Sequence, residues 1–130
     1  MKGYIANIEE ATLENEDFRR VLYTGKNAQL VLMSIPAGGE IGQEVHQLDQ
    51  FLRIEVGDGK AIMDGVETVI SDGFAILVPA GAQHNIVNTG REPMKLYTVY
   101  APPAHQDGAV RSTREEAETQ EEHFDGTTTE

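Results

Sequence analysis

The sequence predicts an all-β sandwich or barrel, on three observations. Asp58-Gly59, Asp64-Gly65 and Asp72-Gly73 fall within sixteen residues and separate the short apolar runs 60–63 and 66–70. Asp-Gly between such runs is the strongest local hairpin signal, because a two-residue turn that matches strand twist needs positive φ. A dense β meander is expected there. The other apolar runs are short, evenly spaced and bounded by Gly, Pro, Asn or Asp, the pattern of many short strands. Finally, no internal repeat and no helical crossover pattern competes.

Taken in order, residues 1–19 read as an N-terminal extension. Tyr4, Ile5 and Ile8 suggest a short strand, followed by an acidic loop or helical turn in which Leu13 and Phe18 are isolated apolar contacts. Arg20 to Tyr23 opens the barrel, Thr24 to Asn27 turns, and Ala28 to Ile35 returns as its hairpin partner. Pro36-Ala37-Gly38-Gly39 ends that strand. In Phe51 to Val56, Leu52 and Ile54 share one parity and point to the barrel interior, while Phe51, Arg53 and Glu55 face away. Phe51 and Val56 make that outer face partly apolar, as for a second sheet or a dimer interface. Ala75 to Val78, His84 to Val87 and Met94 to Tyr100 are the next strands, and Pro102-Pro103 stops the last. The barrel is therefore placed at 20–103.

Residues 104–130 read as a C-terminal loop and an acidic helix or tail. Ser112 with Glu115, or Thr113 with Glu116, has capping-box spacing, which predicts a helix from Thr113 to His123 anchored by Phe124. With so little apolar surface, that segment is either a docked helix or a disordered acidic tail.

At 130 residues the chain is one domain, long enough to bury a core without disulfides. Cysteine is absent, which excludes a disulfide scaffold and any thiolate site. The net charge of −12 argues against nucleic acid and anionic membrane surfaces, both of which need a basic face. Much of that charge sits in the tail, from Glu115 to Glu130. The start, MKGYIANIEE, has no apolar run of signal-peptide length and no stretch is long enough to span a bilayer, so a cytoplasmic protein is expected.

Four side chains carry the chemistry: Glu44, His46, Gln50 and His84. In an extended strand Glu44 and His46 point the same way, about 7 Å apart along the backbone, so both can reach one ion. Gln50 keeps that parity, with Gln47-Leu48-Asp49 leaving room for a bulge or turn. His84 arrives from another strand, after the turn Pro79-Ala80-Gly81. Two imidazoles, one carboxylate and one amide oxygen suit one divalent transition metal, Zn, Mn, Fe, Co or Ni, and are too rich in nitrogen for Ca or Mg. Because Gln50 is neutral, a divalent ion here keeps a single net positive charge, which favours an anionic or chelating oxygen ligand.

At these residues the sequence resembles the cupin superfamily. The first cupin motif runs glycine, five residues, His-x-His, three or four residues, Glu, six residues, Gly; Gly38, Glu44, His46, Gln50 and Gly57 stand at its positions. The second, Gly, five residues, Pro-x-Gly, two residues, His, three residues, Asn, is matched without a gap by Gly73, Pro79, Gly81, His84 and Asn88. The first motif departs twice, with Glu44 for a histidine and Gln50 for the glutamate, and both departures keep an oxygen donor. The resemblance implies a small RmlC-like cupin: a double-stranded β-helix, or jelly-roll barrel, with a short C-terminal helix or acidic tail. It also implies a homodimer.

For function the resemblance implies a metal-dependent enzyme of isomerase, epimerase or dioxygenase type acting on a small oxygenated metabolite. Phosphomannose isomerases use a similar Gln, His, Glu, His ligand set, with glutamine and glutamate exchanged. The alternative is a non-catalytic cupin module that binds or senses a small ligand. Leu52, Ile54, Ile86, Tyr97 and His105 are expected to line the pocket. His105 is placed either over the barrel mouth as an acid or base, or in a solvated loop.

Overall fold

The computed structural model describes residues 1–130. Ten strands form two antiparallel sheets. The first sheet runs β10 (Val110–Arg111), β1 (Arg19–Thr24), β2 (Gln29–Ile35), β9 (Met94–Ala101), β4 (Asp49–Val56) and β7 (Ala75–Val78). The second runs β3 (Glu44–Val45), β8 (Gln83–Asn88), β5 (Gly59–Met63) and β6 (Val66–Ile70). The period-two pattern makes the layers. On β9, Met94, Leu96, Thr98 and Tyr100 are buried while Lys95, Tyr97 and Val99 turn outward. Leu52, Ile54, Leu96 and Met33 from the first sheet meet Ala61, Ile70 and Ile86 from the second in one core. Each such side chain contributes about 1.5–3 kcal/mol by leaving water, so this layer is what holds the barrel closed. The result is the jelly roll.

Asn88 closes one end of it. Its Nδ2 donates to the carbonyls of Ile35, Pro36 and Glu92 at 2.9, 3.1 and 2.9 Å, and its Oδ1 accepts from Gly90 N–H at 2.9 Å. One buried amide thus ties the end of β8 to the end of β2 and to the turn before β9.

Of the three Asp-Gly pairs, only Asp64-Gly65 makes a hairpin. It joins β5 to β6, which pair in register from Met63↔Val66 to Gly59↔Ile70, and both turn residues have positive φ, 48° and 82°. Asp58-Gly59 and Asp72-Gly73 instead carry the chain from one sheet to the other. β5 follows β4 and β7 follows β6, yet neither successive pair shares a sheet. Local turn chemistry sets a bend but not which sheet receives the next strand.

The N-terminal segment also differs from expectation. No strand forms at Tyr4 to Ile8, and the acidic segment that follows, read as loop or helical turn, is a helix, α1 (Ile8–Glu14). Asn7 Oδ1 accepts from Glu10 N–H at 3.0 Å, and Glu9 and Glu10 lie in the first turn where the helix dipole favours acids. That cap outweighs the short β-like run. Thr12 is fully buried where α1 packs against β9 and β4.

The C-terminal helix, α2 (Arg114–Thr119), is shorter than the expected stretch to His123. Its cap is the second of the two predicted: Thr113 Oγ1 accepts from Glu116 N–H at 3.1 Å, and Glu116 reaches back to accept from Ser112 N–H at 3.1 Å. The remainder is docked rather than free. Phe124 N–H donates to the Ala104 carbonyl at 3.1 Å, and Thr129 N–H donates to the Thr24 carbonyl at 2.9 Å. Residues 104–130 also supply β10, which pairs with β1 through Arg19↔Arg111 and Arg20↔Val110.

Candidate metal centre and its cavity

β3 and β8 bring the first three side chains together. Glu44 and His84 are direct partners across that antiparallel pair, so their side chains share one face a few ångströms apart. Val45 between them in sequence points to solvent, and His46 returns to the Glu44 side, where its Nε2 lies 2.5 Å from Glu44 Oε2. One ligand atom from each of Glu44, His46 and His84 falls within 4.8 Å of the other two. Donors around one first-row ion are spaced up to about 4.4 Å, so the three fit a common centre with little movement.

His84 is oriented for this by its own backbone. The Ala82 carbonyl can only accept, so the 3.0 Å contact fixes the proton on His84 Nδ1 and leaves Nε2 as the lone pair that faces the site. His46 stands beside it, ring centroids 5.2 Å apart.

Gln50 comes from the opposite sheet. It is 3% exposed, and its Nε2 donates to Thr98 Oγ1 at 3.0 Å. Its Oε1 is buried with no partner at all. An unpaired buried carbonyl oxygen costs about 1–3 kcal/mol, and an ion bound there would satisfy it. Gln50 pairs across the strand with Tyr100, so the two share the inward face, and the Tyr100 ring stands edge-on to His46 at 6.0 Å. Glu44, His46 and His84 form a group that could hold a metal ion, and two imidazoles with a carboxylate suit a divalent transition metal.

A cavity of about 730 Å³ opens from Glu44 and His46 to the C-terminal segment. Its far wall carries His105 and Glu122, and its side wall carries Arg19. His105 sits at this mouth rather than in a solvated loop: it is 9% exposed and stacks edge-on to Tyr100 at 5.0 Å. Its Nδ1 lies 3.1 Å from Glu122 Oε1 without hydrogen-bond alignment, and its Nε2 is buried without a partner. The Glu122 carboxylate, only 5% exposed, also lies 3.3 Å from Arg111 Nη2 and 3.8 Å from Arg19 Nη1.

Burial pushes His105 below the ordinary histidine value, and Arg19 adds to that, while Glu122 opposes it. His105 is therefore neutral at neutral pH. Burial alone would raise Glu122, but the His105 contact and the two arginines outweigh it and hold the carboxyl low. Glu44 follows the same balance, with burial opposed by His46 and Arg19 and a net lowering. Burial raises the Tyr100 hydroxyl well above its usual range, so it stays protonated.

The other expected lining residues fall elsewhere. Leu52, Ile54 and Ile86 are 1% exposed or less and form the core beneath the site, not the cavity wall. Tyr97 is a correction: it lies on the outward face of β9 against Phe51, ring centroids 6.3 Å apart, because β9 turns Leu96, Thr98 and Tyr100 inward. Arg19 and Glu122 were not expected in the wall. Arg19 had a signal, since it shares the parity of buried Val21 on β1. Glu122 had none, being one acid among many in an aperiodic tail.

Comparison with known proteins agrees with this geometry. Residues 31–100 match the cupin domain family. The chain is similar to YrkC of Bacillus subtilis, an uncharacterized protein, with 46% identity over 89% of this chain, and it spans about two thirds (66%) of that relative's length. A solved structure from Bacillus halodurans is 44% identical, with TM-score 0.90 over 92% of this chain and 96% of that one. An RmlC-like cupin from Shewanella frigidimarina shares the fold, at 23% identity and TM-score 0.60 over 65% of this chain and 74% of that one. No helix is long and apolar enough to cross a membrane. With the family matched over residues 31–100, across most of the strands, this chain belongs to the cupin family.

Proposed function

We propose that this protein is a divalent-metal-dependent enzyme that acts on a small oxygenated metabolite by proton transfer, as an isomerase or epimerase does. The observation that carries the reading is Gln50: a buried amide oxygen without a partner, on the wall that faces two histidines and a carboxylate. The centre would be held by Glu44, His46, Gln50 and His84. When bound, a divalent ion supplies Lewis acidity to a substrate carbonyl or enediolate oxygen.

The chain's own residues supply the rest. His105, kept neutral by burial, presents an unpartnered Nε2 to the cavity and accepts the proton, while Glu122 beside Nδ1 stabilises the imidazolium that results. Tyr100, kept protonated by burial, stands edge-on to both His46 and His105 and holds the two rings apart. The segment after α2 that carries Glu122 lines one side of the cavity. His105 and its proton are what favour this chemistry over dioxygen chemistry.

The test is elemental analysis of protein purified without chelators, beside His46→Ala, followed by proton NMR of small hydroxyketones in deuterated water. Near-stoichiometric metal that vanishes in His46→Ala, with deuterium entering next to the carbonyl only for the metal-loaded wild type, supports the reading. A protein that takes up no metal on reconstitution at neutral pH sinks it. Iron as the native ion, with dioxygen uptake and no deuterium exchange, moves the assignment to a dioxygenase.

The same reading includes a homodimer. β6 and β7 are one edge strand of each sheet, and Val66, Val69 and Leu77 on them are 67%, 80% and 66% exposed. Apolar side chains on open edges favour pairing with a second copy. Sedimentation equilibrium at micromolar concentration should give twice the chain mass, and a monomer would contradict it.

A further inference from the structure

Arg19 is buried in a way the fold does not require. It projects from β1 into the cavity wall, is 8% exposed, and packs its guanidinium 5.6 Å from the Phe18 ring. Arginine is almost never buried this far unless paired. Its Nε has no partner, and its nearest acid, Glu122, lies 3.8 Å from Nη1, past hydrogen-bond range. The neighbouring arginine behaves differently. Arg111, opposite Arg19 across β1 and β10, donates from Nε to the Gln120 carbonyl at 2.9 Å and from Nη1 to the Val110 carbonyl at 3.0 Å, and its Nη2 is 3.3 Å from Glu122. Arg111 thus ties β10 to the segment after α2, and Arg19, His105 and Arg111 all lie within 4 Å of the Glu122 carboxylate without an aligned hydrogen bond, which leaves Arg19 Nε for another acceptor.

We infer that Arg19 is the binding site for a substrate carboxylate, so that the metabolite is a small oxo or hydroxy acid held between this guanidinium and the metal centre. The inference rests on the metal-centre reading and names the substrate class that the cavity takes. A guanidinium fork matches a carboxylate with two parallel N–H donors, and at a side chain only 8% exposed that match is worth more than at a surface. The charges agree. Facing the inner cavity are Glu44, Arg19 and Glu122, with Arg111 behind Glu122, and a divalent ion on Glu44 makes the balance positive. Glu118 and Glu121 stand at the exposed rim, with Glu118 paired to Arg114 at 3.1 Å. Arg19 and the ligand Glu44 lie on the same cavity, so an acid gripped at Arg19 presents its adjacent carbonyl or hydroxyl toward the centre.

The experiment is calorimetric titration of Mn²⁺-loaded protein with pyruvate and with its uncharged methyl ester, for wild type, Arg19→Lys and Arg19→Gln, with manganese content measured for each. Wild type is expected to prefer pyruvate by about tenfold or more, the worth of a charge-assisted pair of hydrogen bonds. Arg19→Gln should lose that preference while holding the same manganese, and Arg19→Lys should keep a fraction of it. Glu122→Gln should keep the preference, since Arg19 would remain. A pyruvate preference that survives Arg19→Gln at full manganese content overturns the inference, as does a wild type that binds neither form of the acid. The two readings fail separately: a wild type that retains no manganese defeats the metal centre, while Arg19-dependent pyruvate binding to that metal-free protein would still uphold the subsite.

Discussion

The Gln29 side chain and the His105 main chain bind each other through both polar ends. Gln29 Nε2 donates to the His105 carbonyl at 2.8 Å, and His105 N–H donates to Gln29 Oε1 at 2.9 Å. The same amide also bonds Thr24 Oγ1 at 2.9 Å and accepts from Ala104 N–H at 3.2 Å, so a residue 1% exposed at the start of β2 fixes the loop that carries the cavity's histidine. Replacing it by Leu fills the space but strands buried main-chain groups at about 1–3 kcal/mol each. Gln29→Leu should lose about 3 kcal/mol in urea unfolding and broaden the His105 imidazole resonances. A loss under 1 kcal/mol, about the net worth of a single hydrogen bond, would show that the loop is held by other contacts.

Gly59 is a position where no side chain fits. A methyl there would stand 2.2 Å from the Val87 carbonyl oxygen and 2.5 Å from Met94 Cε, and the first of these is backbone in the paired strand β8. Gly59→Ala should therefore cost about 3 kcal/mol or more, the upper end for overpacking. Gly65→Ala is the comparison, with open space but φ of +82° in the hairpin turn, and should cost only about 1–2 kcal/mol. Thermal unfolding of the two variants orders them, and a smaller loss at Gly59 would mean that β5 and β8 separate more easily than their register suggests.

Acid should loosen the segment that carries Glu122 before it unfolds the barrel. His105 lies below its ordinary value when folded, so the unfolded chain takes up the proton first as pH falls below about 6.5, and stability declines from there down to the depressed value. Glu122 and Glu44 are also lowered in the fold, so their contributions, complete above the ordinary carboxylate range, are lost as pH falls through it. The melting temperature of chelator-treated protein should thus fall in two stages between pH 7 and acid, and His105→Gln should remove the earlier stage alone. A curve flat from pH 7 to 5.5 in the wild type would contradict the burial of His105.

How much of this was legible in the sequence depends on the range of the interaction that decides each feature. The strands β7, β8 and β9 and the Asp64-Gly65 hairpin were readable because alternation and turn chemistry act within a few residues. That His84 arrives from another strand was legible from the Pro79-Ala80-Gly81 turn before it, whereas its direct pairing with Glu44 was not. Gln50 kept its inward parity, but that it is buried beside Tyr100 on the sheet opposite β3 and β8 follows from sheet packing. The sheet changes at Asp58-Gly59 and Asp72-Gly73 were not readable, since a bend carries no label for its destination. Tyr97 went to the wrong face because its neighbours Leu96 and Tyr100 are both bulky and apolar enough to claim the core, and only one parity can. Helix α1 falls in the acidic segment read as loop or helical turn, where the Asn7 cap on Glu10 N–H decides for the helix, while the strand suggested by Tyr4, Ile5 and Ile8 does not form.

The central claim is that one ion sits between the two sheets on four named side chains. The direct measurement is anomalous X-ray scattering at the metal edge from crystals of protein grown without chelators. The account predicts one peak, about 2.0–2.2 Å from a Glu44 carboxylate oxygen, His46 Nε2, His84 Nε2 and Gln50 Oε1. A metal-soaked crystal with no peak there, or with a peak that leaves Gln50 Oε1 unliganded, would contradict it.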